Sequence, residues 1–175
     1  EHNSCNGPDG ATIAGVITTT ANETIEGVEV SINGAAQMSM TTGTDGAFAF
    51  EIPQLGGDYT VTPYHNDNPL NGVSTFDIVL ISKHILNIDP LDTPYQRLAA
   101  DVNNSETITT LDMIHIRKLV LNITTSFTNN NSWRFIPAGY VFPNGLNPWQ
   151  FGICRLCLWQ IRAAGTCPIH GARVG

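Results

Sequence analysis

The sequence lacks several features that would place it in well-defined functional classes. It has no apolar run of about 18 residues, the length that a membrane-spanning helix needs, so no membrane span is expected. Charged residues make up only 13% of the chain, and the net charge is −7. Because nucleic-acid binding needs a basic face, this balance argues against a nucleic-acid partner.

The motifs of common enzymes are also missing. The chain contains no His-Glu-x-x-His, no Gly-x-Ser-x-Gly and no Gly-rich phosphate-binding loop. Its five histidines are scattered, and His84 and His115 fall on predicted helices, where surface or packing roles account for them. We therefore expect a protein that is not an enzyme.

The start and composition of the chain indicate an exported protein. The first residue is Glu1 rather than Met, as expected if a signal peptide has been removed, and Thr, Asn, Gly and Ser are abundant. We expect a secreted bacterial protein located at the cell surface. Four Asn-x-Ser/Thr triplets are weak glycosylation candidates, at Asn22, Asn103, Asn122 and Asn130.

Cysteines are few, and three of the four lie near the end of the sequence, at Cys5, Cys154, Cys157 and Cys167. An even number in an exported protein favours disulfides, although the sequence leaves the connectivity open. The alternative is a zinc site formed by the three distal cysteines with His170. We consider zinc the less favoured of the two.

Residues 11–63 have the pattern of short strands separated by turns. Apolar side chains alternate with polar ones over residues 27–32 and 47–52, and residues 12–18 are rich in β-branched side chains. Asn33-Gly34 predicts a hairpin turn, and Thr44-Asp45-Gly46 predicts a second one. This spacing is typical of an antiparallel sandwich.

The order of these motifs resembles the carboxypeptidase-regulatory-like, or prealbumin-like, β-sandwich. The resemblance covers roughly residues 11–63. It depends on Gly15-Val16, Gly27-Val28-Glu29-Val30, Thr44-Asp45-Gly46 with Phe48 and Phe50, and Gly57-Asp58-Tyr59-Thr60-Val61. It implies a spacer or adhesive module without catalytic residues.

A repeat follows, in which residues 72–88 align without gaps on residues 107–123 at an offset of 35. In each copy an Asn-rich loop precedes an amphipathic helix. We expect the helices to begin near Thr75 and Thr110, whose hydroxyls suit N-capping, and to end near Asn87 and Asn122. A short helix after Thr93-Pro94 connects the two copies.

The loop of the second copy has the spacing of a twelve-residue calcium loop, with oxygen ligands on alternate residues. The expected ligands are Asp101, Asn103, Ser105, the Thr107 carbonyl and Asp112. Two positions differ from the usual pattern: Glu106 replaces the sixth-position Gly, and the closing residue is Asp rather than Glu. Ile108 is expected to face the core.

The loop of the first copy is a degraded version of the same pattern. Leu70 replaces an oxygen ligand, so this site is expected to bind calcium more weakly than the second, or not at all. Its candidate ligands are Asn66, Asp67, Asn68, Gly72 and Asp77.

The closing Asp, the helix after each loop and the duplication together resemble the type I dockerin repeat over residues 64–124, as in secreted repeat proteins of gliding-type bacteria. The resemblance implies one or two Ca²⁺ ions, calcium-dependent folding and a cohesin-like protein partner. It also implies that the pairs Thr75/Phe76 and Thr110/Leu111 help to select this partner. Phe76 and Leu111 could also be core residues, and we expect them to be buried.

Residues 125–150 are too aromatic for a solvated loop and are expected to pack back on the body or to form contact surface. The basic tail, residues 151–175, carries three arginines and no acid, whereas residues 1–150 carry all 15 acids. Such asymmetry could attract copies of the chain to one another. The interface candidates are Trp133, Tyr140, Trp149, Arg155 and Arg162.

The expected fold class is therefore mixed, with an antiparallel β-sandwich of immunoglobulin-like or prealbumin-like type and a small dockerin-like helical pair. The expected boundaries are an extension at 1–10, a sandwich at 11–63, the repeat at 64–124, the aromatic segment at 125–150 and the tail at 151–175. The leading functional hypothesis is a structural or adhesive subunit that assembles head-to-tail into a surface filament. The alternatives are a dockerin-type anchoring module and a carbohydrate-binding module that binds glycans through exposed aromatics.

Overall fold

The computed structural model describes residues 11–52, 58–149, 159–162 and 169–173, and it divides into two compact units. The first contains the described residues up to Tyr64 and strand β7 (Trp159–Arg162), and the second contains residues 65–149. The division crosses strand β8 (Ile169–Arg173), whose first two residues belong to the first unit.

The first unit consists of antiparallel strands. They are β1 (Ala11–Thr19), β2 (Glu29–Gly34), β3 (Met38–Thr41), β4 (Ala47–Ile52) and β5 (Asp58–Tyr64). β1 pairs with β4, while β3, β2, β5 and β7 are neighbours in that order. Alternate residues are buried and form the core, including Ile13, Val30, Ile32, Phe48, Phe50 and Val61. The structure thus agrees with the expected sandwich at the level of antiparallel sheets with alternating burial.

One predicted turn is wrong and the other is confirmed. Asn33 and Gly34 belong to β2 and pair with Thr60 and Tyr59 of β5, so the chain reverses after Gly34 instead. Gly34 has φ +146°, and a Cβ there would lie 2.2 Å from the Asp58 carbonyl oxygen. Glycine is therefore required by close backbone approach. The turn before β4 forms as expected, with Gly46 at φ +65°.

The second unit contains the helices α1 (Thr75–Ile85), α2 (Pro94–Ala100) and α3 (Thr110–Val120), and the strand β6 (Trp133–Pro137). α1 and α3 are N-capped by Ser74 and Thr109, one residue before the positions expected. None of these described helices is long and apolar enough to cross a membrane.

Both repeat helices end in the same way. Asn87 and Asn122 follow the last helical turns with φ of 55° each, a left-handed conformation that Asn tolerates better than most residues. The amides of Ile88 and Ile123 close these ends by donating to the carbonyls of Lys83 and Lys118, at 2.9 and 2.8 Å. The predicted helix ends are therefore confirmed.

Two apolar clusters hold the second unit together. One contains Ile81 of α1, Ile116 and Leu119 of α3, and Phe127. The other joins Leu98 of α2 to Ile136 of β6 and to Trp149. Ile108 packs against both clusters, as expected for a core-facing residue between the repeats.

Candidate functional site

The second loop is built around two buried carboxylates, those of Asp101 and Asp112, both at 0% exposure. Asp101 is the C-cap residue of α2. Its Oδ1 accepts a hydrogen bond from the Ser105 amide at 2.8 Å, and its Oδ2 accepts one from the Glu106 amide at 3.0 Å. These bonds curl the loop around the carboxylate.

Asp112 closes the loop and also belongs to the capping box that starts α3. Its Oδ2 accepts a hydrogen bond from the Thr109 amide at 2.8 Å, and its Oδ1 accepts one from the Asn103 amide at 3.3 Å. Burial raises the pKa of the Asp112 carboxyl above its usual range, and repulsion from Asp101 adds to this effect. The hydrogen bonds from Thr109 and Asn103 lower the pKa and oppose it only in part.

The sixth residue of the loop, Glu106, adopts the left-handed backbone conformation although it is not glycine. Glu106 has φ +64°, the left-handed region that favours glycine in a calcium loop. Asn104 is left-handed as well, at φ +58°. The tight bend is therefore made without glycine, at the cost of an unfavourable backbone conformation at each residue.

The remaining candidate ligands of this loop contact one another. Asn103 Oδ1 accepts from the Ser105 amide at 3.0 Å, and Ser105 Oγ donates to the Thr107 carbonyl at 3.2 Å. The donor set thus consists of oxygens, with two carboxylates close enough to repel each other. Such a set suits a hard cation such as Ca²⁺ and does not suit Zn²⁺, which prefers nitrogen and sulfur.

Within the described ranges, no cluster of three or more His, Cys, Asp or Glu side chains could hold a metal ion. A cation in the second loop would therefore depend on two carboxylates assisted by neutral oxygens. All four cysteines, which are the candidates for the disulfides and the zinc site, lie outside the described residues.

The candidate ligands of the first loop are directed to separate partners. Asn66 Oδ1 accepts hydrogen bonds from Ser132, and Asp67 pairs with His65 Nε2 at 2.8 Å. Asp77 caps its own helix, accepting from the Ser74 amide at 2.7 Å. Asn68 and Gly72 provide left-handed turns, with φ of 39° and 85°.

The aromatic interface candidates are more buried than a binding platform requires. Trp149 is only 9% exposed, and it packs with Leu98 and Ile136. Trp133 is half-buried and stacks on Phe135. Tyr140 packs edge-on against Phe142, with 5.1 Å between ring centroids. Exposed, coplanar aromatics, which the carbohydrate hypothesis needs, are therefore not found at Trp149.

The remaining candidates are two arginines at the expected interface and four asparagines in glycosylation triplets. Arg155 lies outside the described residues, and Arg162 lies within β7. Of the glycosylation candidates, Asn22 and Asn122 are exposed, whereas Asn103 and Asn130 are half-buried in hydrogen-bonded positions.

The structure also reveals a surface that the sequence interpretation missed. Phe76 and Leu111, expected in the core, are 64% and 56% exposed. They belong to two matching helix faces, which we call the α1 stripe (Phe76, Val79, Lys83 and Leu86) and the α3 stripe (Leu111, Ile114, Lys118 and Leu121). The helical spacing i, i+3, i+7, i+10 places each set on one face.

All six apolar members of the two stripes are exposed. The apolar members are between 44% and 64% exposed, and each Lys stands between apolar neighbours. A groove of about 300 Å³ lies between the two helices and is lined by Thr75, Ile78, Arg117, Val120 and Leu121. The repetition of one stripe pattern at the 35-residue offset is the sequence signal that could have identified this surface.

Comparisons with known proteins identify no family. A scan against protein-family models finds no match, and a search of curated proteins finds none either. Among solved structures, the chain shows a weak similarity to a C-terminal fragment of the pilus adhesin SpaC from Lactobacillus rhamnosus GG. The two are 16% identical, the match covers 33% of this chain and 24% of that one, and the TM-score is 0.28.

Proposed function

We propose that the chain is a non-catalytic, extracellular protein-binding module that contacts a protein partner through the α1 and α3 stripes. The observation that carries this proposal is the exposure of six large apolar side chains at repeat-equivalent positions of two helices. In the same proposal, the second loop binds Ca²⁺ and fixes the start of α3.

The stripes support a binding role because their exposure is costly and regular. Fully burying one such side chain is worth about 1.5–3 kcal/mol. Scattered exposed apolar residues need no explanation, but contiguous ones mark interaction sites. Here the same pattern occurs on both helices, and helices with apolar i, i+3 and i+7 positions are a common recognition element.

The charges indicate what kind of partner fits. Lys83 and Lys118 occupy the same position in the two stripes, and Arg117 lines the groove between the helices. Lys83 also pairs with Asp89 at 3.3 Å, an exposed contact that a competing carboxylate could replace. A partner with an apolar patch and nearby carboxylates would complement this surface, and a cohesin-like protein is the partner that the dockerin resemblance implies.

Calcium would connect the loop to the stripe through Asp112. Because Asp112 caps α3 and faces Asp101 at the end of α2, a cation held by both carboxylates would join the two helices at the loop. The positive charge would also offset the repulsion between these buried groups. Removal of the ion should therefore loosen the start of α3 and the stripe it presents.

Photo-crosslinking tests this proposal directly. A photoreactive residue replaces Val79 or Ile114 in the full chain, which is then irradiated with the secreted proteins of the source bacterium, with Ca²⁺ or with chelator. We expect one calcium-dependent crosslinked partner from both positions, and loss of it when Phe76→Ser and Leu111→Ser are combined.

Val141 provides the matched control position, since it is 82% exposed and lies outside both stripes. A photoreactive residue there should capture no such partner, and Val141→Ser should leave the stripe crosslinks unchanged. Equal capture from all three positions would contradict the proposal.

Assembly into a filament is the second candidate, favoured by the acidic body and the basic residues of 151–175. Light scattering of the purified chain separates the two functions. Salt-sensitive polymers of the chain alone would support the filament, whereas a monomer that acquires a partner through the stripes supports the binding module.

A further inference from the structure

Residues 130–134, which we call the strap, contact both repeat loops at equivalent positions. Ser132 bonds to Asn66, the first residue of the first loop, and Asn130 and Arg134 bond to Asp101, the first residue of the second. Asn66 and Asp101 are related by the same 35-residue offset as the helices. The strap therefore contacts the first residue of each loop, but it bonds to the side chain of Asn66 and to the backbone carbonyl of Asp101.

In the first loop the strap uses the oxygen that an ion would need. Asn66 Oδ1 accepts from the Ser132 amide at 2.9 Å and from Ser132 Oγ at 3.1 Å. An amide oxygen has two lone pairs, so these two bonds saturate it. Ser132 is 2% exposed, so both of its donors reach Asn66 from a position shielded from solvent.

In the second loop the strap bonds to the backbone of the first loop residue, Asp101. Asn130 Nδ2 and Arg134 Nη2 donate to the backbone carbonyl of Asp101, at 3.0 and 3.3 Å. Arg134 Nη2 also donates to Asn104 Oδ1 at 2.9 Å. The strap thus bonds to the backbone carbonyl of Asp101, while the two carboxylate oxygens of Asp101 accept bonds from the Ser105 and Glu106 amides.

We propose that Ser132 takes the place of an ion in the first loop, so that the chain binds a single Ca²⁺, in the second loop. Two further features agree with this assignment. Asp67 is paired with His65, and Leu70 brings no side-chain oxygen at the fifth loop position. The inference deepens the calcium element of the proposed function and rests on it.

Calorimetric titration of the full chain with Ca²⁺ measures the number of sites. We expect one ion per chain for the wild type and for Asp77→Asn, and none for Asp112→Asn. Two ions per chain would overturn this inference and leave the proposed function intact. The absence of any binding would overturn both this inference and the calcium element of the proposed function.

The role of Ser132 has a second test that does not depend on calcium. In chelator, Ser132→Ala should lower the melting temperature by roughly 2–4 °C, because Asn66 Oδ1 keeps the bond from the backbone amide of residue 132 but loses the bond from the buried Ser132 hydroxyl. Ser126 is exposed and only six residues away, so Ser126→Ala is the matched control and should cause no shift. Equal melting of the two variants would show that the Ser132 hydroxyl does not hold the first loop.

Discussion

The two loop–helix repeats of the second unit share their helices and differ in their loops. α1 and α3 have eleven residues each, the same type of capping box and the same left-handed Asn after the last turn. The closing residues differ, because Asp112 is fully buried whereas Asp77 is half-buried. The two repeats thus share the features that form the helix and its exposed apolar face, while the two loops are stabilised by different interactions.

The largest expected effect on stability comes from the apolar core that the two repeat helices share. Ile81 and Ile116 are repeat-equivalent and 2% and 0% exposed, in one apolar cluster. Replacing either by Ala should lower the free energy of unfolding by about 2–5 kcal/mol, because each change leaves a cavity in the core. Urea denaturation measures both, and the two losses should be of similar size.

The control for these core variants is Ile88→Ala. Ile88 is 70% exposed, so its replacement should change the free energy of unfolding by less than about 0.5 kcal/mol. A severe loss from only one of the two core variants would show that the repeats do not share one core.

The next effect tests the difference between the loops. Calcium at 100 times its dissociation constant should stabilise the chain by about 2.7 kcal/mol if it binds only the folded state. Asp101→Asn should abolish this gain, because it removes one of the two buried charges. Asn66→Ala should lower the melting temperature with and without calcium by the same amount. Scanning calorimetry in calcium and in chelator measures these changes. If the stabilisation by calcium is lost in Asn66→Ala and kept in Asp101→Asn, the ion binds the first loop rather than the second.

A smaller effect concerns the helix starts. Ser74 Oγ accepts from the Phe76 amide at 3.1 Å, and Thr109 Oγ1 accepts from the Leu111 amide at 3.2 Å. Ser74→Ala and Thr109→Ala should each cost about 1 kcal/mol of stability, measured by urea denaturation. Thr109 Oγ1 also donates to Asp112 Oδ2 at 3.3 Å, so only Thr109→Ala should weaken calcium binding as well.

The adjacent hydroxyls provide controls for these cap variants. Thr75→Ala and Thr110→Ala change residues inside the first turn that do not cap the helix. If they cost as much as the Ser74 and Thr109 variants, the caps have been assigned to the wrong residues.

The sequence predicted those parts of the fold that local patterns determine. Alternating and β-branched residues predicted β1, β2 and β4, but β3 was missed because Met and Ser in Met38–Thr41 carry little strand signal. The N-caps were assigned one residue late because hydroxyl side chains occupy both adjacent positions. These errors are local, and each reflects a choice between neighbouring residues of similar propensity.

The strap could not be predicted, because Ser132 and Asn66 are 66 residues apart and no local pattern links them. The exposure of Phe76 and Leu111 was also missed, since an apolar residue on a helix does not reveal whether it faces the core. Comparing the two repeats would have helped, because the same four-residue pattern recurs on both helices. The spacing of the second loop, in contrast, predicted Asn103 and Ser105, whose amides bond to Asp112 and Asp101, while their role as calcium ligands stays a prediction.

The smallest expected effect on stability comes from a core-facing position at which the two repeat helices differ. His84 occupies the position equivalent to the fully buried Leu119, and its Nδ1 accepts a hydrogen bond from the Leu91 amide at 3.1 Å. Partial burial lowers the pKa of His84, and the positive charge of Arg97 lowers it further. Below the ordinary histidine pKa of about 6.5 the unfolded chain therefore binds a proton that the folded chain does not, so stability falls as the pH decreases through that window.

His84→Asn tests this effect, because the Asn side-chain oxygen can accept the Leu91 amide without titrating. The melting temperature of the wild type, relative to that of His84→Asn, should fall between pH 7.5 and pH 5.5. Measuring both in chelator keeps protonation of the calcium ligands from adding a calcium-linked change. Parallel melting curves across this range would show that His84 releases no proton on folding, and the first repeat would then lack the pH sensitivity that distinguishes its helix from the second.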